Sequence, residues 1–340
     1  MIETPSFDLR RALAGIRGKD PALILMHDNP DPDSMAAAEA LRLLIEHETK
    51  ARVTVARGGV IGRAENRAMV SVLGLEHVPV RELNWDHYQT IALVDTQPET
   101  GNNSLPPGYR VDIIVDHHPK RPAAARAAWC DIREGFGASS TITWTYLREL
   151  GVPVTEQVAT ALLYAIKSET KDLCRETSDH EVEAYQALLE VADLEKLYRI
   201  AEPKVPAAYF AALDRALRAA EVRGPLVTAN LGPLGYPDLV AEIADLLQPY
   251  EHAHWVLCVG QHEGSVFLSL RTDREEPHAG QLIRSIVAGR GAAGGHTLIA
   301  GGRLHAKVGS DSELAHVYHA LVEAISGQLG IGVPPVRLVP

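Results

Sequence analysis

Short apolar runs alternate with helix-like segments through the first half of this chain. The runs lie at residues 22–26, 52–56, 90–94 and 111–115, and an Ala- and Leu-rich segment at about 34–48 separates the first two. Strands that are apolar along their whole length are typical of parallel sheets, which are covered on both faces. The pattern therefore predicts an α/β fold with a doubly wound, mostly parallel sheet, and such sheets bind ligands at the carboxyl ends of their strands.

The second half of the chain changes character twice. From about residue 137 to 220 the apolar residues recur at helical spacing, and strand-like runs resume after residue 226. A chain of 340 residues is long enough for two domains. We predict a first domain over residues 1–195, a helical linker over 196–221 and a smaller C-terminal α/β domain over 222–340, with the active site in the cleft between the two domains.

Charge and cysteine content exclude several classes of protein. The chain has 33 Lys and Arg against 44 Asp and Glu, a net charge of −11, whereas a protein that coats long nucleic acid or an anionic membrane needs a basic surface. Its 3 cysteines form no C-x-x-C pair, which suits a reducing compartment. No early apolar run is long enough to span a bilayer. We expect a cytoplasmic protein whose polyanionic partners are short, and a homodimer is compatible with this composition.

Three of the apolar strands end directly at residues that bind metals. These residues are His27, with Asp31 and Asp33 in the loop behind it, then Asp95, then Asp116, His117 and His118. Because the carboxyl ends of parallel strands lie at one edge of a sheet, we expect these side chains to meet. One such residue alone is most often a turn former, a helix cap or a surface histidine, but three strand ends of this kind indicate a shared site. Asp33 or Ser34 is also expected to cap the following helix.

A cluster of carboxylates and imidazoles at one sheet edge needs cations. Without them the carboxylates would repel one another and lose hydration at a high cost in free energy. Imidazole and carboxylate ligands without thiolate suit Mn²⁺, with Mg²⁺, Co²⁺, Fe²⁺ and Zn²⁺ as alternatives. The number of ligands predicts two ions, which can share a hydroxide and bind both the attacking and the leaving oxygen at phosphorus.

The order and spacing of these residues resemble the DHH phosphoesterase superfamily. The motifs are His27-x-x-x-Asp31-x-Asp33, then Asp95, then Asp116-His117-His118. Gly294-Gly295-His296, followed by residues 300–302, resembles the signature of the DHH-associated C-terminal domain. The branch resembled is that of RecJ-like exonucleases, nano-RNases that also act on pAp, and dinucleotide phosphodiesterases, rather than the pyrophosphatases.

The resemblance implies a role for each residue of the motifs. His27 and Asp31 would hold one Mn²⁺, Asp33 and His117 would hold the other, and Asp95 would bridge the two. His118 would face the substrate phosphate. Asp116 would orient the two histidines, which also follows from the need of a ligating imidazole for an acceptor on its other nitrogen.

One position departs from the family pattern. The family has a metal-binding Asp in a stretch similar to Gly-Ile-x-x-Asp-Thr, and residues 165–170 place Glu169 there. The carboxylate is retained with one more methylene, so that it either coordinates with altered geometry or withdraws. Asp172, three residues later, could replace it if the segment is helical. The alternative for Glu169 is an exposed carboxylate at a helix end, without a role in metal binding.

A locally basic, glycine-rich stretch surrounds the C-terminal motif. Between residues 271 and 307 there are six basic and three acidic residues. The glycines predict a turn over 289–296 whose backbone N–H groups approach an anion, and Arg271 at a strand end is placed to bind phosphate. The candidate substrate-binding residues are therefore Arg271, Gly294, Gly295 and His296. A solvated surface side chain is the alternative for Arg271, and the match of 289–294 to G-x-G-x-x-G lacks the preceding strand of a dinucleotide-binding turn.

Hydroxyl residues precede the helix predicted after residue 141. Ser139, Ser140 and Thr141 follow Gly137 and Ala138, and we expect their hydroxyls to cap this helix. The alternative is that the N-terminus of the helix points toward the metals and binds phosphate.

These observations predict a Mn²⁺-dependent phosphodiesterase or phosphatase. It would hydrolyse short oligonucleotides, dinucleotides or nucleotide phosphates by the two-metal hydroxide mechanism. An inorganic pyrophosphatase or exopolyphosphatase, which has the same metal-binding half, is the first alternative. A catalytically weakened nucleotide-binding sensor, suggested by Glu169, is the second.

Overall fold

The computed structural model describes residues 5–15, 20–295 and 297–339. The chain divides into two compact units, Met1–Pro203 and Lys204–Pro340. Each unit contains one β-sheet with helices packed against it. Across the described ranges, none of the helices combines the length and the apolar run that crossing a bilayer requires.

The first unit is built on a six-stranded sheet in which all neighbouring strands are parallel. Its strands are β1 (Ala22–Met26), β2 (Val53–Arg57), β3 (Val78–Pro79), β4 (Thr90–Val94), β5 (Ile113–Asp116) and β6 (Trp129–Ile132). The order across the sheet is β3-β2-β1-β4-β5-β6, so the direction of winding reverses between β1 and β4. Open sheets bind their ligands at such a switch point. The predicted doubly wound parallel sheet is confirmed.

The two faces of this sheet are covered differently. The α-helices of the unit are α1 (Pro5–Gly15), α2 (Pro32–Thr49), α3 (Ala64–Leu73), α4 (Ser139–Leu150), α5 (Glu156–Glu169), α6 (Asp179–Leu189) and α7 (Leu194–Ala201). Ile24 and Met26 of β1 pack into the large core that these helices form, whereas Leu23 and Leu25 point to the opposite face because side chains alternate along a strand. That second face is covered by loops and by three 3₁₀ turns, Val80–Glu82, Trp85–His87 and Pro122–Arg126.

The second unit is a mixed sheet with helices on both faces, as the sequence predicts for an α/β domain. Its strands are β7 (Glu221–Arg223), β8 (Leu226–Pro233), β9 (Trp255–His262), β10 (Ser265–Thr272), β11 (Gly291–Gly295), β12 (Ile299–Lys307) and β13 (Val336–Arg337), in the order β11-β12-β10-β9-β8-β7-β13. Its helices are α8 (Ala207–Ala219), α9 (Leu239–Leu247), α10 (Ala279–Val287) and α11 (Asp311–Gln328). Helices α8 and α9 pack on one face, and α10 and α11 pack on the other.

Candidate metal centre at the carboxyl end of the parallel sheet

The register of the parallel strands brings the predicted ligands together. Met26 pairs with Val94, and Val94 pairs with Val115, so the residues that follow these three positions, His27, Asp95 and Asp116, lie side by side at the carboxyl edge of the sheet. Asp95 is the first residue after β4, and its backbone N–H still donates to the carbonyl oxygen of Val115. Its φ of 59° is left-handed, a conformation that Asp tolerates better than most residues and that concentrates at functional sites.

Asp95 stands between two groups of metal-ligating atoms. One group consists of His27, Asp31 and Asp95, the other of Asp95, His117 and His118, and within each group the ligating atoms lie within 4.8 Å of one another. Oδ2 of Asp95 lies 3.5 Å from Nε2 of His27, whereas its Oδ1 lies 3.6 Å from Nε2 of His117. Each carboxylate oxygen of Asp95 therefore faces a different imidazole, an arrangement suited to a bridging ligand.

Asp31, in the loop that follows β1, is the third member of the first donor group. Its Oδ1 lies 3.5 Å from Nε2 of His27 and accepts a 3.0 Å hydrogen bond from the backbone N–H of Ser34. Asp31 is thus the N-cap of α2. The prediction that Asp33 or Ser34 caps this helix is wrong, because α2 begins two residues earlier than expected, at Pro32.

Asp33 is held by the N-terminus of α4. The backbone N–H groups of Ser139 and Ser140 donate to its carboxylate at 2.7 and 2.8 Å, and the Ser140 hydroxyl donates at 2.5 Å. The Ser139 hydroxyl donates to Oδ1 of Asp95 at 2.9 Å. The expectation that these hydroxyls cap α4 is wrong, since the N-cap is Ala138 and makes no side-chain hydrogen bond. The N-terminus of α4 faces the site, as in the alternative prediction, but the anion that it binds is the carboxylate of Asp33 rather than a phosphate.

Asp33 also lies close to the second histidine of the motif. Its Oδ2 is 4.0 Å from Nε2 of His117. Nδ1 of His117 lies 3.1 Å from the carbonyl oxygen of Phe136. Because a carbonyl can only accept, Nδ1 carries the proton and Nε2 is left as the ligating atom that faces Asp33 and Asp95.

Asp116 orients His118 and is itself held by Gln97. Oδ1 of Asp116 accepts hydrogen bonds from the backbone N–H of His118 at 3.1 Å and from its Nδ1 at 2.8 Å. Oδ2 accepts from Nε2 of Gln97 at 2.7 Å. Gln97 is 1% exposed, and its amide also contacts the carbonyl oxygen of Pro119 and the backbone N–H of Arg121. No motif in the sequence marks Gln97, and its position two residues after Asp95 is the only signal for it.

The electrostatics of the cluster show why it needs cations. Burial raises the pKa of Asp95 well above its usual range, and the charges of Asp33 and Asp31 raise it further. Burial alone would lower the pKa of His27, but Asp31 and Asp95 outweigh that effect and raise it to about 10. Carboxylates this close and this buried are stable in their charged form only beside a positive charge.

The donor chemistry fits divalent cations of the hard and borderline type. Both donor groups consist of carboxylate oxygens and imidazole nitrogens, which suits Mn²⁺ and related ions. His27, Asp31, Asp33, Asp95 and His117 could hold such ions. His118 differs from His117 in exposure, because 38% of its side chain is accessible against 4% for His117.

Glu169 lies near the centre but is paired with an arginine. It is the last residue of α5, and Nη2 of Arg175 lies 3.0 Å from its Oε1. Burial raises the pKa of Glu169 to about 7, and the charge of Asp31 contributes to the rise. The carboxylate of Glu169 therefore interacts electrostatically with the cluster. Among the described residues, neither donor group includes it. Asp172, considered as a replacement, forms an ion pair with Lys167.

The candidate residues of the second unit lie on β10 and β11. Arg271 of β10 is 5% exposed, and its Nε donates to Oδ1 of Asp245 at 2.6 Å while its Nη1 donates to Oγ of Ser269 at 2.7 Å. It is therefore a buried, ion-paired side chain rather than a solvated one.

The glycines of the C-terminal motif belong to a hairpin. The prediction of a turn over 289–296 is wrong, because Gly291–Gly295 forms the exposed edge strand β11 and pairs with β12. Gly294 pairs with Gly301 and Gly295 with Ala300. Gly295 has a φ of 146°, and a Cβ there would come within 2.3 Å of the carbonyl oxygen of Ile299, which explains the glycine. His296 lies outside the described residues.

The chain carries the N-terminal domain of the DHH family. Residues 21–166 match the model of this family's N-terminal domain, and this range contains the sheet and the residues of both donor groups. The resemblance to the DHH family that the motifs indicate is therefore confirmed for the domain formed by residues 21–166.

Two proteins are similar to this chain in sequence, and one solved structure is similar in fold. An uncharacterized protein of Methanocaldococcus jannaschii is 32% identical over 84% of this chain and 58% of its own length. A probable manganese-dependent inorganic pyrophosphatase of Lactobacillus helveticus is 29% identical over 50% of this chain and 54% of its own length. The chain thus spans a little over half of each of these relatives. The crystal structure of an exopolyphosphatase-related protein from Bacteroides fragilis shares the fold, with a TM-score of 0.73, 13% identity and coverage of 96% of this chain and 97% of its own.

Proposed function

We propose that this protein is a metal-dependent phosphoesterase that hydrolyses short oligonucleotides, dinucleotides or nucleotide phosphates. The observation that carries the proposal is the position of Asp95, whose two carboxylate oxygens face His27 and His117 separately. Two adjoining donor groups that share one carboxylate are what a pair of divalent cations requires. We propose Mn²⁺ as the cation, and the relative described as a manganese-dependent pyrophosphatase supports this choice.

The cations would supply the hydrolytic chemistry. When bound by donors of this kind, divalent cations lower the pKa of a water molecule and neutralise charge on a phosphoryl group. The chain's own residues then have separate tasks. His27, Asp31, Asp33, Asp95 and His117 hold the cations, and the N-terminus of α4 fixes the orientation of Asp33.

We propose that His118 contacts the substrate. Its side chain is more exposed than those of the other two histidines of the centre. Its Nδ1 is held by Asp116, and this hydrogen bond raises the pKa of His118 despite the opposing effect of burial. The raised pKa favours the imidazolium form, in which Nε2 can donate a hydrogen bond to a phosphoryl oxygen as negative charge develops there.

In the second unit we propose that the glycine edge strand contributes to binding the substrate. Gly294 and Gly295 lie exposed on β11, at the edge of the sheet. Glycine has no side chain and lets an anion approach the backbone N–H groups closely. His296 stays a candidate by its motif alone, and Arg271 can bind a phosphate only if its ion pair with Asp245 opens.

An inorganic pyrophosphatase is the second candidate, favoured by the Lactobacillus helveticus relative. The experiment that separates the candidates is a Mn²⁺ titration with parallel assays on a dinucleotide, pAp, a cyclic dinucleotide and pyrophosphate. Turnover of the nucleotide substrates supports the proposal, and turnover of pyrophosphate alone supports the second candidate. Tight nucleotide binding without turnover on any substrate would indicate a sensor and overturn the proposal.

A further inference from the structure

An aromatic stack includes Phe136, a residue whose backbone contacts the metal centre. The rings of Phe136 and His180 are parallel to within 13°, with their centroids 4.4 Å apart. The guanidinium of Arg133 also contacts the Phe136 ring, with Cζ 5.0 Å from its centroid. His180 is exposed, and Phe136 covers one face of its ring.

The segment that carries Phe136 is tied to the metal centre at three points. At its start, the backbone N–H of Arg133 donates to the carbonyl oxygen of Asp116. In its middle, the carbonyl oxygen of Phe136 accepts from Nδ1 of His117. At its end begins α4, whose first N–H groups bind Asp33. The backbone carbonyl of Phe136 is therefore hydrogen-bonded to a ligand of the proposed centre.

Hydrogen bonds fix the position of Arg133, and a helix cap fixes the backbone next to His180. Arg133 makes two hydrogen bonds from Nε and one from Nη2 to the carboxylate of Asp131, which also accepts from the Tyr146 hydroxyl at 2.7 Å. His180 lies in the first turn of α6, where Ser178 and Glu181 form a capping box. Binding a flat ligand on His180 would thus require little ordering of the protein.

We propose that the exposed face of His180 is a stacking site for one nucleobase of the substrate. The proposal rests on the function proposed above and specifies its substrate class, namely phosphoesters that carry a base. Every nucleobase has a π-face, and base–aromatic stacking accounts for much of the affinity of single-stranded nucleic acids for proteins. One platform next to the centre suits a short substrate, in which only one or two bases lie near the reacting phosphate.

The test compares a dinucleotide with an analogue that lacks the base on one nucleotide but keeps the same phosphodiester. His180→Ala is expected to raise KM for the intact dinucleotide roughly tenfold. KM for the abasic analogue should stay as in the wild type, and His180→Trp should restore dinucleotide binding. His47→Ala is the matched control, since it removes a partly exposed imidazole at the far end of α2.

Direct binding keeps the stacking site testable without turnover. A dinucleotide that contains 2-aminopurine should lose fluorescence on binding to the wild type and to His180→Trp, and lose much less on binding to His180→Ala. An unchanged KM and unchanged quenching in His180→Ala would overturn the stacking site. An equal rise of KM for both substrates would also overturn it. Absence of turnover on all phosphoesters, with quenching intact, would instead contradict the proposed function and leave the stacking site supported.

Discussion

The backbone N–H of Ser139 donates a 2.7 Å hydrogen bond to Oδ2 of Asp33, which lies 106 residues earlier in the chain. With the N–H and hydroxyl of Ser140, it surrounds this buried carboxylate with donors at the positive end of a helix. Asp33 is therefore oriented before any cation arrives. Its Oδ2, which accepts the hydrogen bond from Ser139, lies 4.0 Å from Nε2 of His117.

Ser140→Ala removes the hydroxyl donor and leaves both backbone donors in place. Because outer partners of metal ligands typically contribute ten- to hundredfold to affinity, we expect Mn²⁺ to bind about tenfold more weakly. Isothermal titration calorimetry measures the change. Ser285→Ala, which removes a hydroxyl bonded to a helix carbonyl in the second unit, is the control, and equal affinities for the two variants would contradict the role of Ser140.

Gln97→Leu removes the amide that holds Asp116 while keeping a buried side chain of similar size. We expect kcat on the dinucleotide to fall roughly ten- to hundredfold, because His118 loses its fixed orientation, with little change in KM. Steady-state kinetics on the dinucleotide measure kcat and KM separately and so test this prediction. Gln89→Leu removes an exposed amide that donates to Asp20 and should leave kcat unchanged. A rise in KM with kcat intact would exclude the positioning role.

Asp95→Asn should stabilise the metal-free protein and abolish its response to metal. Burial raises the pKa of Asp95, so its contribution to stability is present below the unfolded pKa of about 3.9 and is lost as pH rises through the folded value. Asparagine carries no charge and tolerates the left-handed backbone at this position.

Thermal denaturation with chelator and with Mn²⁺ tests this prediction. In chelator at neutral pH the variant should melt above the wild type. Added Mn²⁺ should raise the melting temperature of the wild type and not that of the variant. Asp214→Asn, at an exposed ion pair with Arg218, should behave as the wild type. Retained turnover in Asp95→Asn would argue strongly against the bridging role.

Metal binding should release protons and strengthen as pH rises. The pKa of His27 in the metal-free protein is about 10, so at pH 7.5 the imidazole is protonated and a cation must displace that proton. Affinity for Mn²⁺ should therefore increase between pH 6.5 and 8.5. Calorimetry in buffers of different ionisation enthalpy counts the protons released, and a pH-independent affinity with no release would contradict the assignment of His27 as a ligand.

The sequence predicts those features of the site that follow from parallel strands. His27, Asp95 and Asp116 come together because each follows or ends a strand of the same sheet, and a parallel sheet has one carboxyl edge. The same rule cannot predict partners that arrive from other elements. Asp33 meets α4, and Asp116 meets the amide of Gln97, through packing that has no period in the sequence.

Predictions made from local residue preferences are wrong where tertiary contacts compete with those preferences. Ser139 and Ser140 are good capping residues, but their hydroxyls bind Asp95 and Asp33 instead of their own helix. Glycines usually indicate a turn, but at 291–295 they form an edge strand, because Gly291 and Gly295 each lie too close to the neighbouring backbone for a side chain. Glycine favours close backbone approach as much as it favours turns.

The distance along the chain between Asp33 and its donors affects how the protein is made. At translation rates of about 5–20 residues per second, on the order of ten seconds separate the synthesis of Asp33 from that of Ser139. During that interval the nascent chain contains Asp33 but lacks α4, the helix whose N–H groups orient the Asp33 carboxylate. The donors that orient Asp33 are present only once the start of α4 has left the ribosome, so this part of the proposed centre forms late in the synthesis of the first unit.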